Sequence, residues 1–226
     1  MNFSFLPQYY NFFLVGAKNT VLLAFFTVAL GVVFGIILAL MRISKNKLFN
    51  FISTAYVEVI RGTPLMVQIF IIYYGLPAIG INFPTFPFLG SAGEEFVAGI
   101  IALSINSGAY VAEIIRSGIQ SVDKGQMEAA RSLGMPYYTA MRHIIVPQAF
   151  KNILPALGNE FIVVIKESSI VSIIGIHDLM YNANTVRGNT FIPLEPLLVA
   201  AVIYFILTFS LSKLLGIVER RMKVSD

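Results

Sequence analysis

The longest apolar run of the chain, NTVLLAFFTVALGVVFGIILALM at residues 19–41, contains no charged side chain. At about 1.5 Å of rise per residue, such a helix crosses the roughly 30 Å of bilayer hydrocarbon, which predicts a first span starting upstream near Tyr10. A second span is expected from Phe51 to Ile79; it includes the polar interruption from Glu58 to Pro64, and Pro77 and Gly80 cut its far end. A third begins at Phe96 and carries Asn106 and Glu113. The fourth follows Pro147 and carries Asn159 and Glu160, and a fifth, free of charge, runs from Pro196 to Ser212. Before that last span, IVSIIGIHDLM has helical apolar spacing but is too short to cross. It is read as an interfacial or partly re-entrant helix within the outer segment 168–193. The fold class predicted is an all-α polytopic membrane protein of five transmembrane helices, forming a single domain over 1–226.

Composition agrees with a chain whose surface faces lipid. Of its 226 residues 57% are hydrophobic and 12% charged, about half the charge of an ordinary soluble domain. The net charge of +4 is explained by topology and calls for no nucleic-acid partner. Arg42, Lys45 and Lys47 follow the first span, Arg116, Lys124, Arg131, Arg142 and Lys151 separate the third and fourth, and Lys213, Arg220, Arg221 and Lys223 follow the fifth. Basic residues in short loops mark the cytoplasmic side. Five crossings then put the N-terminus outside and the C-terminus inside, in a prokaryotic cytoplasmic membrane. The N-terminus has no basic start or small-residue cleavage pattern, so the first apolar segment is expected to stay as a span.

The loop 120–147 between spans three and four has its own local structure. Gln126 to Leu133 are good helix formers, and Gly134 suits the left-handed position that closes such a helix. Pro136 fits the first turn of a second short helix, which Pro147 restrains. Two short helices at a membrane surface need a packing partner. That partner is either the chain's own bundle or a second protein contacting Glu128, Ala129, Ala130, Leu133 and Gly134.

EAARSLG at Glu128–Gly134, followed by Ile144 and Val146-Pro147, resembles the coupling loop of the membrane subunits of ATP-binding-cassette importers. Val146 stands where leucine is usual. Glu58, RGTP at Arg61–Pro64, NSGAYVAEIIRSGI at Asn106–Ile119 and KESS at Lys166–Ser169 are similar to runs of the polar amino acid branch. The resemblance implies two cytoplasmic ATPase subunits carrying ATP and Mg, a second permease subunit forming a homodimer or pairing with a close relative, and an extracellular solute-binding protein. It implies an importer of a polar amino acid working by alternating access; if Glu160 faces the solute cavity, its charge favours a basic amino acid (arginine, lysine or histidine), with glutamine the other candidate. Glu128 to Gly134 would be the mechanical contact with the ATPase. The chain has no Walker A sequence, so nucleotide hydrolysis belongs to another chain.

Polar groups at membrane depth are the candidate solute contacts. Glu160 lies about 12 Å into span four by helical rise; it either faces a solute cavity or is paired structurally. Asn159 is adjacent but points elsewhere on an ideal helix. Asn106, Ser107 and Gln68 either line a cavity or permit close helix packing. Glu113 with Arg116, and Glu58 with Arg61, have the i,i+3 spacing of same-face pairs and are candidates for structural pairing or a gate. There are no cysteines, and His143 and His177 are far apart, so no metal centre, cofactor or catalytic residue is expected. An ion-coupled secondary carrier is the alternative; it would need no docking loop and often shows inverted repeats, which are absent here. A membrane enzyme would need convergent catalytic groups, and the carboxylates are dispersed.

Overall fold

A computed structural model of the chain describes residues 1–85 and 93–223. The end of the uncharged run that precedes Glu94, and the side chain of Lys223, lie outside the described residues. The chain is all-α: α1 (Leu6–Ile43), α2 (Lys47–Gly62), α3 (Leu65–Ala78), α4 (Gly93–Gln120), α5 (Lys124–Ser132), α6 (Tyr137–Ala140), α7 (Val146–Glu167), α8 (Leu179–Thr190) and α9 (Glu195–Lys223). Among the described residues three helices, α1, α4 and α9, are long and apolar enough to cross a membrane, and a fourth span results if α2 and α3 count as one. Helix α7, on the expected fourth span, is 22 residues long but carries Lys151, Asn152, Asn159 and Glu160 and is not among them.

The core is built around α4, which packs against α1, α2, α3 and α7. What lets α1 approach it is a stripe of mostly small residues. Phe13, Gly16, Thr20, Leu23, Ala24, Thr27, Gly31, Gly35 and Ala39 are the buried positions of α1, recurring at helical spacing along one face. A Cβ at Gly35 would sit 2.4 Å from Val111 Cγ1, and one at Gly31 would sit 3.0 Å from Ser107 Oγ. The other face of α1 is bulky and exposed, with Phe25, Phe26, Val33, Phe34, Ile37 and Leu40. Such a surface suits lipid chains.

Three elements depart from the sequence reading. The second span is not one helix: it breaks after Gly62, and α2 and α3 meet at 108°. Thr63 is extended at φ −118°, ψ 148°, as the residue before a proline must be to avoid its ring, and Pro64 has no N–H to continue α2. Pro147 does not end the short helix before it. Tyr137–Ala140 passes through a π-helical turn, Met141–Ile145, directly into α7, and a wider i→i+5 turn accommodates a residue without a donor. IVSIIGIHDLM is not one helix either. A 3₁₀ segment, Ser168–Ile174, stops at Gly175 with φ +89°, and Asp178 starts α8 by accepting from Tyr181 N at 2.8 Å.

Candidate functional site

The buried polar groups of α3, α4 and α7 come together at mid-bundle. Glu160 of α7 is only 8% exposed, and its Oε1 accepts from Ser107 Oγ at 2.8 Å. Among the described residues no cation pairs with it. The preceding residue on α4, Asn106, donates from Nδ2 to Gln68 Oε1 at 2.9 Å. Gln68 in turn donates from Nε2 to Ile60 O at 2.7 Å and to the carbonyl and hydroxyl of Thr63 at 3.1 and 2.8 Å. Four of the five candidate pathway residues therefore form two linked bonds across α4, and Asn159 is exposed on the outer surface of α7.

Nearer the positive ends of the chain's loops lies an ionic cluster. Glu113 accepts from Arg116 Nε at 2.9 Å, and the Arg116 guanidinium also meets its second oxygen. Arg42 of α1 donates to Glu113 at 2.8 Å and lies 3.6 Å from Glu58. Glu58 and Arg61 do not close on each other: Glu58 turns to Arg42, and Arg61 sits over the Tyr110 ring at 5.3 Å. The i,i+3 spacing is necessary for such a pair, but a partner from another helix can win. Arg42 is the hub that the sequence reading treated only as a topology marker; its signal was an arginine ending a span beside two carboxylate-bearing helices.

The loop 120–147 is a compact projection. Asp123 accepts from Gly125 N at 2.7 Å, which starts α5 two residues before Gln126. At the other end Gly134 has φ +82°, and Gly134 N and Met135 N donate to Arg131 O and Ala130 O at 3.0 and 3.1 Å. This is the paired-bond closure that glycine permits. Ala130 is buried, whereas Glu128, Ala129 and Gly134 are exposed, and Leu133 is 86% exposed. Tyr137 and Tyr138 are exposed beside them. Leu133, Tyr137 and Tyr138 are thus apolar or aromatic side chains that the chain itself leaves uncovered.

A second buried polar node, missed from sequence, ties the start of α8 to α1 and α9. Thr20 Oγ1 accepts from Leu179 N at 3.1 Å, Asn182 Nδ2 donates to Phe12 O at 2.8 Å, and the Tyr204 hydroxyl donates to Asp178 at 3.3 Å. Among the described residues no group of three or more His, Cys, Asp or Glu is placed to hold a metal ion.

Comparison with known proteins places these features. The family model for the inner membrane component of binding-protein-dependent transport systems matches residues 31–224. The chain is 43% identical over 229 residues to the arginine transport system permease protein ArtQ of Bacillus subtilis (strain 168), covering 100% of both chains. It is 42% identical to a putative glutamine transport system permease protein GlnP of Rickettsia conorii, over 99% of this chain and 100% of the relative. A crystal structure of an amino acid ABC transporter with histidines superimposes with a TM-score of 0.89 at 51% identity, over 98% of this chain and 100% of that one.

Proposed function

From the premise that the chain belongs to the family of inner-membrane components of binding-protein-dependent transport systems, the permeases of ATP-binding-cassette importers, we propose that it passes a basic amino acid, with glutamine as the runner-up solute. It is a multi-pass membrane transport subunit rather than an enzyme, driven by a partner ATPase. The observation that carries the substrate class is Glu160: a buried carboxylate whose hydrogen-bond donor, Ser107, is neutral. A carboxylate held at membrane depth is costly unless a cation meets it, and the ammonium or guanidinium of a passing solute supplies one. The names of the relatives, arginine and glutamine permeases, support the same range.

In this reading α1, the bent pair α2–α3, α4, α7 and α9 are five crossings of one domain over 1–226, with the N-terminus outside. Glu160 and Ser107 lie on the solute path, Asn106 and Gln68 stand behind them, and Asn159 faces a second permease subunit. Glu58, Arg61, Glu113, Arg116 and Arg42 hold the inner ends of α1, α2 and α4 as a gate. Glu128, Ala129, Ala130, Leu133 and Gly134 seat in one of two cytoplasmic ATPases, and an extracellular binding protein delivers solute. The exposed Leu133 supports the docking role, because the chain leaves it without cover.

Uptake into liposomes that contain the chain with its ATPase, with binding protein outside and ATP inside, tests the reading. Accumulation of arginine, lysine or histidine is expected. Accumulation of glutamine alone would remove the role given to the Glu160 charge, and uptake independent of ATP would favour an ion-coupled carrier.

A further inference from the structure

The 108° bend between α2 and α3 is held by side chains. A helix end leaves its last four carbonyls without donors from its own turns, and a buried carbonyl without a donor is costly. At the end of α2, Thr63 Oγ1 donates to Val59 O at 2.8 Å. Gln68, on the first turn of α3, covers Ile60 O and Thr63 O with its Nε2. Its amide therefore caps α2 from the far side of the break.

The other end of that amide is anchored elsewhere. Gln68 Oε1 accepts from Asn106 Nδ2 of α4 at 2.9 Å, with Gln68 and Asn106 only 6% and 7% exposed. The bonds to α2 are local, within eight residues, whereas the bond to Asn106 joins positions 38 apart. The next residue on α4, Ser107, is bonded to Glu160 of α7. Helix α7 continues back through the π-helical turn and α6 to the turn at Gly134. A hydrogen-bonded line thus runs from the exposed loop along α7, across α4 and into the bend.

We propose that Gln68 and Asn106 are positioning residues that transmit movement of the α5–α7 arm to the angle of the α2–α3 bend. Local bonds keep the shape of the bend, and the Asn106 bond makes it follow α4. Breaking that bond removes the polar side-chain link from α3 to α4 while leaving α2 capped and the apolar packing of α3 on α4 in place. The inference rests on the chain being the permease of an ATP-driven importer.

The test measures solute taken up per ATP hydrolysed in liposomes that contain the whole complex. Asn106→Leu removes the long-range bond and keeps the cap; it lowers the ratio about fivefold or more, the scale of a coupling between sites. Asn106→Gln keeps an amide donor facing Gln68 Oε1 and leaves Gln68 to cap α2, and it recovers at least half of the loss. If Asn106→Leu fails to assemble, Asn106→Ser carries the same expectation with a smaller change in shape. A purely structural defect lowers both rates together, and an unchanged ratio overturns the inference. A wild-type complex that hydrolyses ATP without any uptake overturns the functional reading instead.

Discussion

Ser107 Oγ donates to Glu160 Oε1 across 2.8 Å, joining two helices at residues 53 positions apart. The serine cannot neutralise the carboxylate. It satisfies one lone pair and orients the group, and among the described residues no side-chain cation pairs with the carboxylate.

Glu160→Gln keeps an acceptor for Ser107 and removes only the charge. Uptake of arginine or lysine is expected to fall at least tenfold, since a buried charge contact is worth about 2–3 kcal/mol, while uptake of glutamine changes little. Initial rates of labelled arginine and glutamine in the same vesicles check this. Equal loss for both solutes would mean that the carboxylate serves the helix packing and reads no charge.

The ionic cluster predicts unequal costs for its two acids. Glu113 serves two arginines and is partly buried, with 23% of its side chain exposed, whereas Glu58 is 69% exposed and 3.6 Å from Arg42. Glu113→Gln should lower stability by about 1–3 kcal/mol, and Glu58→Gln by under about 0.5 kcal/mol. Thermal unfolding in detergent compares them, and raising the salt should narrow only the smaller effect. A larger cost at Glu58 would show that its exposed pair with Arg42 is the one holding α1 and α2 together.

Much of this fold is legible along the chain because α1, α4 and α9 are long apolar runs, and because Gly134 announces a left-handed turn. The bend at Thr63 is only half legible. The Gly-Thr-Pro order marks an interruption, but its angle depends on Gln68 and on Asn106 from a different helix, and hydropathy carries no such pairing. The same limit applies to Glu58, where local spacing points to Arg61 and the folded chain supplies Arg42. The packing face of α1 is encoded in residue size, through Gly16, Gly31, Gly35 and Ala39, while apolarity is nearly even around the helix.

That size code predicts opposite results at two glycines. At Gly35 a Cβ meets Val111 Cγ1 at 2.4 Å and the backbone N of Ala112 at 3.1 Å, so Gly35→Ala must push α1 from α4 at a cost of about 1–3 kcal/mol. At Gly62 a Cβ meets nothing within 4 Å, so Gly62→Ala is expected to be neutral or to gain up to about 1 kcal/mol from helix propensity. Unfolding midpoints of the two variants settle the order. Equal midpoints would mean that α1 and α4 are looser in the membrane than their separation here.

Leu133 separates folding from docking. With 86% of its surface exposed it contributes little to the chain's own core, so Leu133→Ser should leave the unfolding free energy of the isolated permease within about 0.5 kcal/mol of wild type. A leucine filling a partner's groove behaves as an interface anchor, and its loss costs about 1.5–2 kcal/mol or more of binding. Affinity for the ATPase should therefore fall at least tenfold, measured by titrating the ATPase onto the permease in nanodiscs. Ala130→Leu supplies the converse case. Ala130 is 3% exposed, so the larger side chain strains the loop itself and lowers stability and docking together. If Leu133→Ser binds the ATPase as tightly as wild type, the exposed turn at Gly134 is not the contact and the docking surface must lie elsewhere on the chain.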